Sequence, residues 1–297
     1  MKEGVGSMDP QEELTVAERI RGRYEALTQA ERQLASALLA NYPVLGLSSV
    51  AEVGAAAGVS SPTVVRMAKK LGYDGFPDLQ SHLRAEIEAR ISNPINKIDH
   101  WSEQAPDTHI VNRFADAVMD NLRNTLRHLS IDDFDTVVRL LADPERRIYL
   151  VGGRITRSLA DYFFTHLHVI RDGVTLIPPN ANTWPHYVLE MRPGDVLVVF
   201  DVRRYERDTA RFARMARSKD VSIVAFTDQW GSPVMKEAEH AFHCRIEVPS
   251  AWDSSVVTLL LVEMMIAALQ TRTGEDGIKR LRTLEDLFDQ TKTLRKS

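Results

Sequence analysis

One cysteine in 297 residues, Cys244, leaves no internal disulfide possible, and a reducing cytoplasm is the expected compartment. Neither sign of charge dominates: 37 Lys+Arg stand against 41 Asp+Glu, for a formal net charge of -4, which excludes a bulk polycation. No apolar helix reaches the ~20 residues that a bilayer requires. The longest, Val256 to Leu269, is interrupted by Glu263, so no membrane partner is expected. Met1 to Pro10 is polar and lacks an apolar stretch, so no secretion signal is expected. A nucleotide P-loop and a nucleophile triad are also missing. His166 and His168, two apart on an expected helix, face different sides and cannot share a metal, and His240 and His243 are no better placed. His186, Glu190, Glu206 and Glu263 sit in no pattern that demands acid–base work. The chain is therefore expected to be neither an enzyme nor a holder of metal or cofactor.

What remains is 44% hydrophobic residues and 26% charged ones, enough for real cores in about two domains. The most informative stretch runs from Val50 to Leu71. It reads as a short helix of small residues, a turn at Gly58, and a second helix opening at the Ser60/Ser61-Pro62 cap. Gly54 and Ala57 let two helices cross closely, and Gly58 supplies the positive φ of a tight turn. Val64, Met67, Ala68 and Leu71 share one face and should pack inward. Thr63, Arg66, Lys69 and Lys70 are left facing outward, as a major-groove recognition helix requires. Between Val53 and Tyr73 there is no acidic residue, so the basic patch is local even though the chain is acidic. The bland alternative is an ordinary two-helix corner.

Helices are expected at Thr15–Leu27, Gln29–Asn41 and Pro77–Ile91, followed by a linker through Asn93-Pro94 and Pro106. Helices at Ile110–Leu129 and Ile131–Ala142 lead to a change of period at Asp143-Pro144. Beyond it, short continuous apolar runs alternate with helices: 148–151, 174–177, 196–200, 221–226 and 241–246. Unbroken β-branched runs of this length suit strands covered on both faces of a parallel sheet. The helices between them, near Ser158–Ile170, Arg207–Ser218 and Pro233–Glu239, supply the crossovers. Ser254–Gln270 and a charged helix at Arg280–Arg295 close the chain. The expected class is α plus α/β: a helix-turn-helix domain and a doubly wound, five-stranded parallel sheet.

Ligands of such sheets bind at the carboxyl ends of the strands. Gly152-Gly153-Arg154-Ile155-Thr156 follows the first strand as a glycine turn into a helix, either an anion cradle or simply a tight turn. Asp201-Val202-Arg203-Arg204-Tyr205-Glu206 follows the third, either an arginine clamp for an anion or a solvated charged loop. Trp184 or His186 would close over a ligand held there.

Val59-Ser60-Ser61-Pro62-Thr63-Val64-Val65-Arg66, followed by Lys70-Leu71-Gly72-Tyr73-Asp74-Gly75-Phe76, resembles the recognition helix and exit of the RpiR (MurR/RpiR) family of bacterial regulators. The second half is similar to the sugar isomerase (SIS) domain of that family. The resemblance implies a homodimer or homotetramer that binds a palindromic double-stranded operator and responds to a phosphorylated sugar. The phosphate loops depart from the family patterns G-x-G-x-S and S-x-S-G-x-T: Arg154 replaces the second glycine, and residues 201–206 keep no serine, glycine or threonine. An anion held by arginine forks, such as a sugar acid or other organic acid, is then expected in place of a sugar phosphate in the usual pose; a sheet kept for oligomerisation alone is the other possibility. DNA contact is assigned to Ser60, Ser61, Pro62, Thr63, Arg66, Lys69 and Lys70. Effector contact is assigned to Gly152, Gly153, Arg154, Thr156, Asp201, Arg203, Arg204 and Tyr205. The domain plan is a disordered 1–13, a DNA-binding 14–91, a linker 92–109, an effector and oligomerisation domain 110–272, and a terminal helix 273–297. The runner-up functions are an interaction protein that binds no DNA and a sugar-phosphate isomerase.

Overall fold

The computed structural model describes residues 14–91 and 109–291. They fall into two units, divided between Asn96 and Lys97. Expectations for residues 1–13, 92–108 and 292–297 lie outside the described residues.

The first unit is all helical: α1 (Val16–Gly22), α2 (Gln29–Ala40), α3 (Val50–Ala57), α4 (Ser61–Lys70) and α5 (Phe76–Ile91). Three of the helices open with the same device. Thr15 with Glu18, Thr28 with Glu31 and Ser49 with Glu52 each form a reciprocal capping box, which satisfies two orphan backbone donors at once. The first helix is shorter than Thr15–Leu27, because Arg23 leaves the helical region and Tyr24–Ala26 continues as a 3₁₀ turn. Gly58 ends α3 in the left-handed region at φ 66°, the conformation that its residue type permits. A side chain on Gly54 would meet the Val59 carbonyl at 2.8 Å, so the turn folds tightly back over α3. Val64, Met67, Ala68 and Leu71 are buried with Leu34, Val53, Leu79 and Leu83. The inward face of α4 is thus the one that its spacing predicts.

Glu86 of α5 is an inward carboxylate among these apolar residues. It accepts from the Val16 backbone N–H at 2.6 Å and from the Tyr42 hydroxyl. Burial pushes its pKa up to about 7, against the lowering effect of those two bonds. A carboxyl whose folded pKa lies above its unfolded value contributes most below the unfolded value, near 4.5, and loses that contribution as pH rises through 7. Glu86→Gln is therefore expected to flatten a loss of roughly 2–3 kcal/mol between pH 5 and 8. Melting curves of both proteins across that range test this; parallel pH profiles would show that Glu86 is not the responsible group.

The second unit begins with α6 (Ile110–Arg127) and α7 (Ile131–Ala142). There follow β1 (Ile148–Gly152), α8 (Arg157–Ile170), β2 (Val174–Leu176), α9 (Trp184–Glu190), β3 (Val196–Asp201), α10 (Arg207–Arg217), β4 (Ser222–Asp228), β5 (His240–Cys244) and α11 (Val256–Thr291). The five strands are parallel in the order β2-β1-β3-β4-β5. Alternate strand residues face two different cores. Ile148, Leu150, Val198, Phe200 and Phe226 meet α7, α8 and α11, while Tyr149, Val151, Leu197, Val199 and Ala225 meet Trp184, Val188, Phe212 and Ala213. Covering both faces is what the unbroken apolar runs require.

Several expectations are corrected. Pro233–Glu239 is only a 3₁₀ turn, Pro233–Lys236, and α9 is a helix where Pro185 and the surrounding polar residues read as loop. The two C-terminal helices form one run, interrupted at Gly274 with φ 51° and ψ -127°. Ser254–Gln270 packs on the sheet, where Val257, Leu261, Val262, Met265, Ile266 and Leu269 are buried. By length and composition this helix is apolar enough to cross a membrane, but its apolar face is taken up by the sheet core. Cys244 is fully buried, and burial pushes its thiol up to about 12, which makes it inert.

Candidate nucleic-acid interface and effector crevice

On α4 the structure separates the seven expected DNA contacts into two groups. Ser60, Pro62, Arg66 and Lys69 are exposed, and Ser61 is half-buried at the start of the helix. Pro62 stands in the first turn, where its missing N–H costs nothing. Thr63 and Lys70 belong elsewhere. Thr63 is buried, its Oγ1 3.0 Å from Ser60 Oγ and accepting from Arg66 Nη2 at 3.3 Å, so it fixes the helix entrance instead of projecting outward. Lys70 Nζ donates to Glu31 Oε2 at 2.8 Å and to the Ala26 carbonyl at 2.7 Å. That pair holds the Glu31 carboxyl below its usual range and ties α4 to α2. Arg66 and Lys69 are the cations of α4 left facing outward.

In the second unit, strand order reverses between β1 and β3, so the crevice of a doubly wound sheet opens between their carboxyl ends. Residues 152–156 and 201–206 are the two loops that flank it. A side chain on Gly152 would lie 2.6 Å from the Thr156 carbonyl, which makes glycine obligatory for the turn into α8. Thr156 Oγ1 accepts from the Gly153 N–H at 2.9 Å and donates to the Phe200 carbonyl at 2.7 Å, lacing the two loops together. Its hydroxyl is therefore spent on the scaffold.

The opposite loop carries strain and buried charge. Arg203 and Arg204 have φ 20° and φ 59°. Arg204 stands where the family pattern has glycine, and it keeps the left-handed backbone without the residue that adopts it freely. Arg203 is not a free clamp. Its side chain is 5% exposed, pairs with Glu247 Oε1 at 3.1 Å and Asp253 Oδ2 at 3.3 Å, and lies 4.4 Å over the Trp230 ring. Its backbone N–H donates to Asp228 Oδ2 at 2.7 Å. Tyr205 is committed too, donating its hydroxyl to Asp228 at 2.7 Å. Asp228 is fully buried, and burial raises its pKa against four donors: Tyr205, and the backbone of Arg203, Trp230 and Gly231.

Asp201, at the end of β3, is 3% exposed and is pushed up to about 7, mainly by burial. Its carboxyl takes hydrogen bonds from the Ser232 hydroxyl and the Glu206 N–H, and Oδ2 has no partner of its own. Glu206 reaches across the crevice, and its Oε1 accepts from the Arg154 N–H at 2.8 Å. Exposed on the rim are the side chains of Arg154 and Arg204. Trp184, expected as a lid, is buried against Phe212 and donates to the Pro178 carbonyl, while His186 is exposed. Reading the sequence did not single out Asp228, Trp230, Glu247, Asp253 or the reach of Glu206. The acids ending β3 and β4 directly after apolar runs were the available signal. Among the described residues no group of His, Cys, Asp and Glu is arranged to hold a metal.

A two-helix corner with an acid-free basic face, in one chain with a doubly wound sheet whose crevice is polar, is the plan of a DNA-binding regulator with a second, sheet-based domain. Known proteins agree. The family described as "Helix-turn-helix domain, rpiR family" matches residues 14–90, and the SIS domain matches residues 140–268. The chain belongs to the RpiR family of transcriptional regulators and is not an enzyme. It is 24% identical over 293 residues to the HTH-type transcriptional regulator HexR of Escherichia coli (strain K12), covering 93% of this chain and 97% of that protein. The Pseudomonas aeruginosa HexR is also 24% identical, over 93% of this chain and 96% of its own length. Two solved structures share the fold. The Vibrio vulnificus NanR protein complexed with ManNAc-6P has a TM-score of 0.54 at 17% identity, covering 93% of this chain and 98% of that one. The sugar isomerase domain of the Sphaerobacter thermophilus RpiR transcription factor has a TM-score of 0.55 at 22% identity, covering 59% and 97%.

Proposed function

We propose that this regulator binds an operator through α4 and releases or engages it according to a small anionic sugar derivative held in the crevice between β1 and β3. The observation that carries the DNA half is the outward pair Arg66 and Lys69 on a helix with no acidic residue, beside the exposed Ser60 and Pro62. Ser61 and Pro62 enter the groove at the helix N-terminus, and the two cations read a base edge or hold phosphates. For the effector half, Arg154 and Arg204 on the rim form the anion contacts, with Arg203 positioning the loop from below. The NanR protein, complexed with ManNAc-6P, supports a sugar-derived ligand for a domain of this kind.

One recognition helix offers too little interface for tight specific binding, so two copies on a two-fold operator are part of the reading. Exposed Ile110, Val111, Met119 and Leu126 make α6 the candidate surface for pairing. The compartment proposed is the cytoplasm, where operator DNA lies. A ligand acts only through its different affinity for the DNA-competent and incompetent states. The test is anisotropy of labelled DNA from upstream of the protein's own gene, titrated with protein and then with acids and phosphates of the sugars handled by neighbouring genes. Salt-sensitive, sequence-selective binding that one of these anions shifts is the expected result. Equal affinity for unrelated DNA, or no response to any anion, would remove the corresponding half.

A further inference from the structure

We infer that Glu206 is a built-in filter that refuses phosphate at the mouth of α8, so that the ligand of this crevice is a polyhydroxylated monocarboxylate. This rests on the reading of the crevice as the effector site and names the ligand class of that site. The start of α8 has two parts of a phosphate seat, a glycine turn and the positive end of a 14-residue helix. That seat is taken. The Glu206 carboxylate accepts from the Arg154 N–H at 2.8 Å, and it presses so closely on Gly153 that a β-carbon there would lie 2.9 Å from Oε1. A phosphate dianion entering the seat would have to displace this carboxylate from its donor or sit against it as a like charge.

A second, independent observation points to the other end of the ligand. Asp201, 3% exposed at the carboxyl end of β3, carries an Oδ2 without a hydrogen-bond partner. A buried acceptor in that state is completed by a donor, and a sugar hydroxyl is one. The Asp201 carboxyl already takes the Ser232 hydroxyl and the Glu206 N–H, which leaves its Oδ2 and the Glu206 carboxylate as the acceptors that a ligand hydroxyl would complete. Exposed cationic side chains stand farther out, among them Arg154 and Arg204. A ligand that matches both ends places its hydroxyls inward and one carboxylate, suited to a guanidinium fork, at the rim.

The experiment is calorimetric titration of the full chain and of the Glu206→Thr and Glu206→Gln variants with inorganic phosphate, and separately with a panel of hexonates and hexuronates. The wild type is expected to show no saturable phosphate binding at millimolar concentration. Glu206→Thr is expected to bind phosphate at least tenfold more tightly, and Glu206→Gln to fall between the two. If melting curves show that the Thr variant does not fold, the Gln variant decides alone. Wild-type phosphate binding as tight as that of the variants, or no gain in any folded variant, would overturn the filter. Binding of no panel member to the wild type would overturn the ligand class. Acid-dependent operator release without any gain in phosphate binding would leave the effector site standing and remove the filter. A phosphate gain with no anion acting on DNA would do the reverse.

Discussion

Arg66→Ala combined with Lys69→Ala is expected to lower operator affinity at least a hundredfold while leaving the melting temperature nearly unchanged. Both side chains are exposed on α4, and the one hydrogen bond at stake is the 3.3 Å contact from Arg66 to Thr63. Loss of an arginine that reads a base costs roughly 1–3 kcal/mol and relaxes the sequence preference at that position. A lysine on a phosphate contributes almost uniformly across sequences, and its loss lowers the salt slope by about one. Anisotropy titrations at several salt concentrations separate the two effects. Lys70→Ala supplies the contrast: Lys70, half-buried, is tied to Glu31, whose side chain is 11% exposed, so its loss costs about 1 kcal/mol of stability with no effect on the salt slope. Unchanged operator affinity in the folded double variant would remove α4 from the interface.

The largest loss of stability is expected from Arg203→Ala. This guanidinium is 5% exposed, bridges Glu247 and Asp253 and packs over Trp230, next to the buried Asp228. Removing one partner of a buried ion pair leaves the others uncompensated and costs about 3–5 kcal/mol. The partial exposure of Glu247 and Asp253 places this case at the lower end. Arg203→Lys recovers little, because an ammonium cannot span two carboxylates and stack on an indole as a planar fork does. Denaturant unfolding of the three proteins measures this. A loss below about 1 kcal/mol would mean that Arg203 is free for a ligand after all.

Local signals made the fold readable. The α4 face followed from residues 64, 67, 68 and 71, and the five strands from continuous apolar runs whose ends shift by only a residue or two. Elements set by tertiary packing were less visible. Trp184 looks like a loop aromatic until Phe212 is beside it, and Thr63 looks outward until Ser60 Oγ is 3.0 Å from its hydroxyl. The crevice was half legible for the same reason. Its loops are located by strand order, which the alternating pattern supplies. The state of each charge in them depends on Glu247 and Asp253, more than forty residues downstream of Arg203. A run of basic residues in sequence says nothing about which of them already holds a carboxylate.

The break in α11 has a consequence for how the end of this chain is aimed. At φ 51° and ψ -127°, Gly274 occupies a region of backbone space that is essentially closed to other residues, and nothing lies within 4 Å of where a β-carbon would stand. The constraint is purely torsional. Had the 36 residues continued as one straight helix, they would form a rod of about 54 Å, leaving the sheet tangentially. Instead a single pair of dihedral angles turns the second half, where it runs alongside the end of α8 and Arg280 reaches the His168 carbonyl. The direction of the last seventeen described residues, 275–291, is thus written at one position, and any side chain introduced there would redirect the whole arm without touching a neighbour.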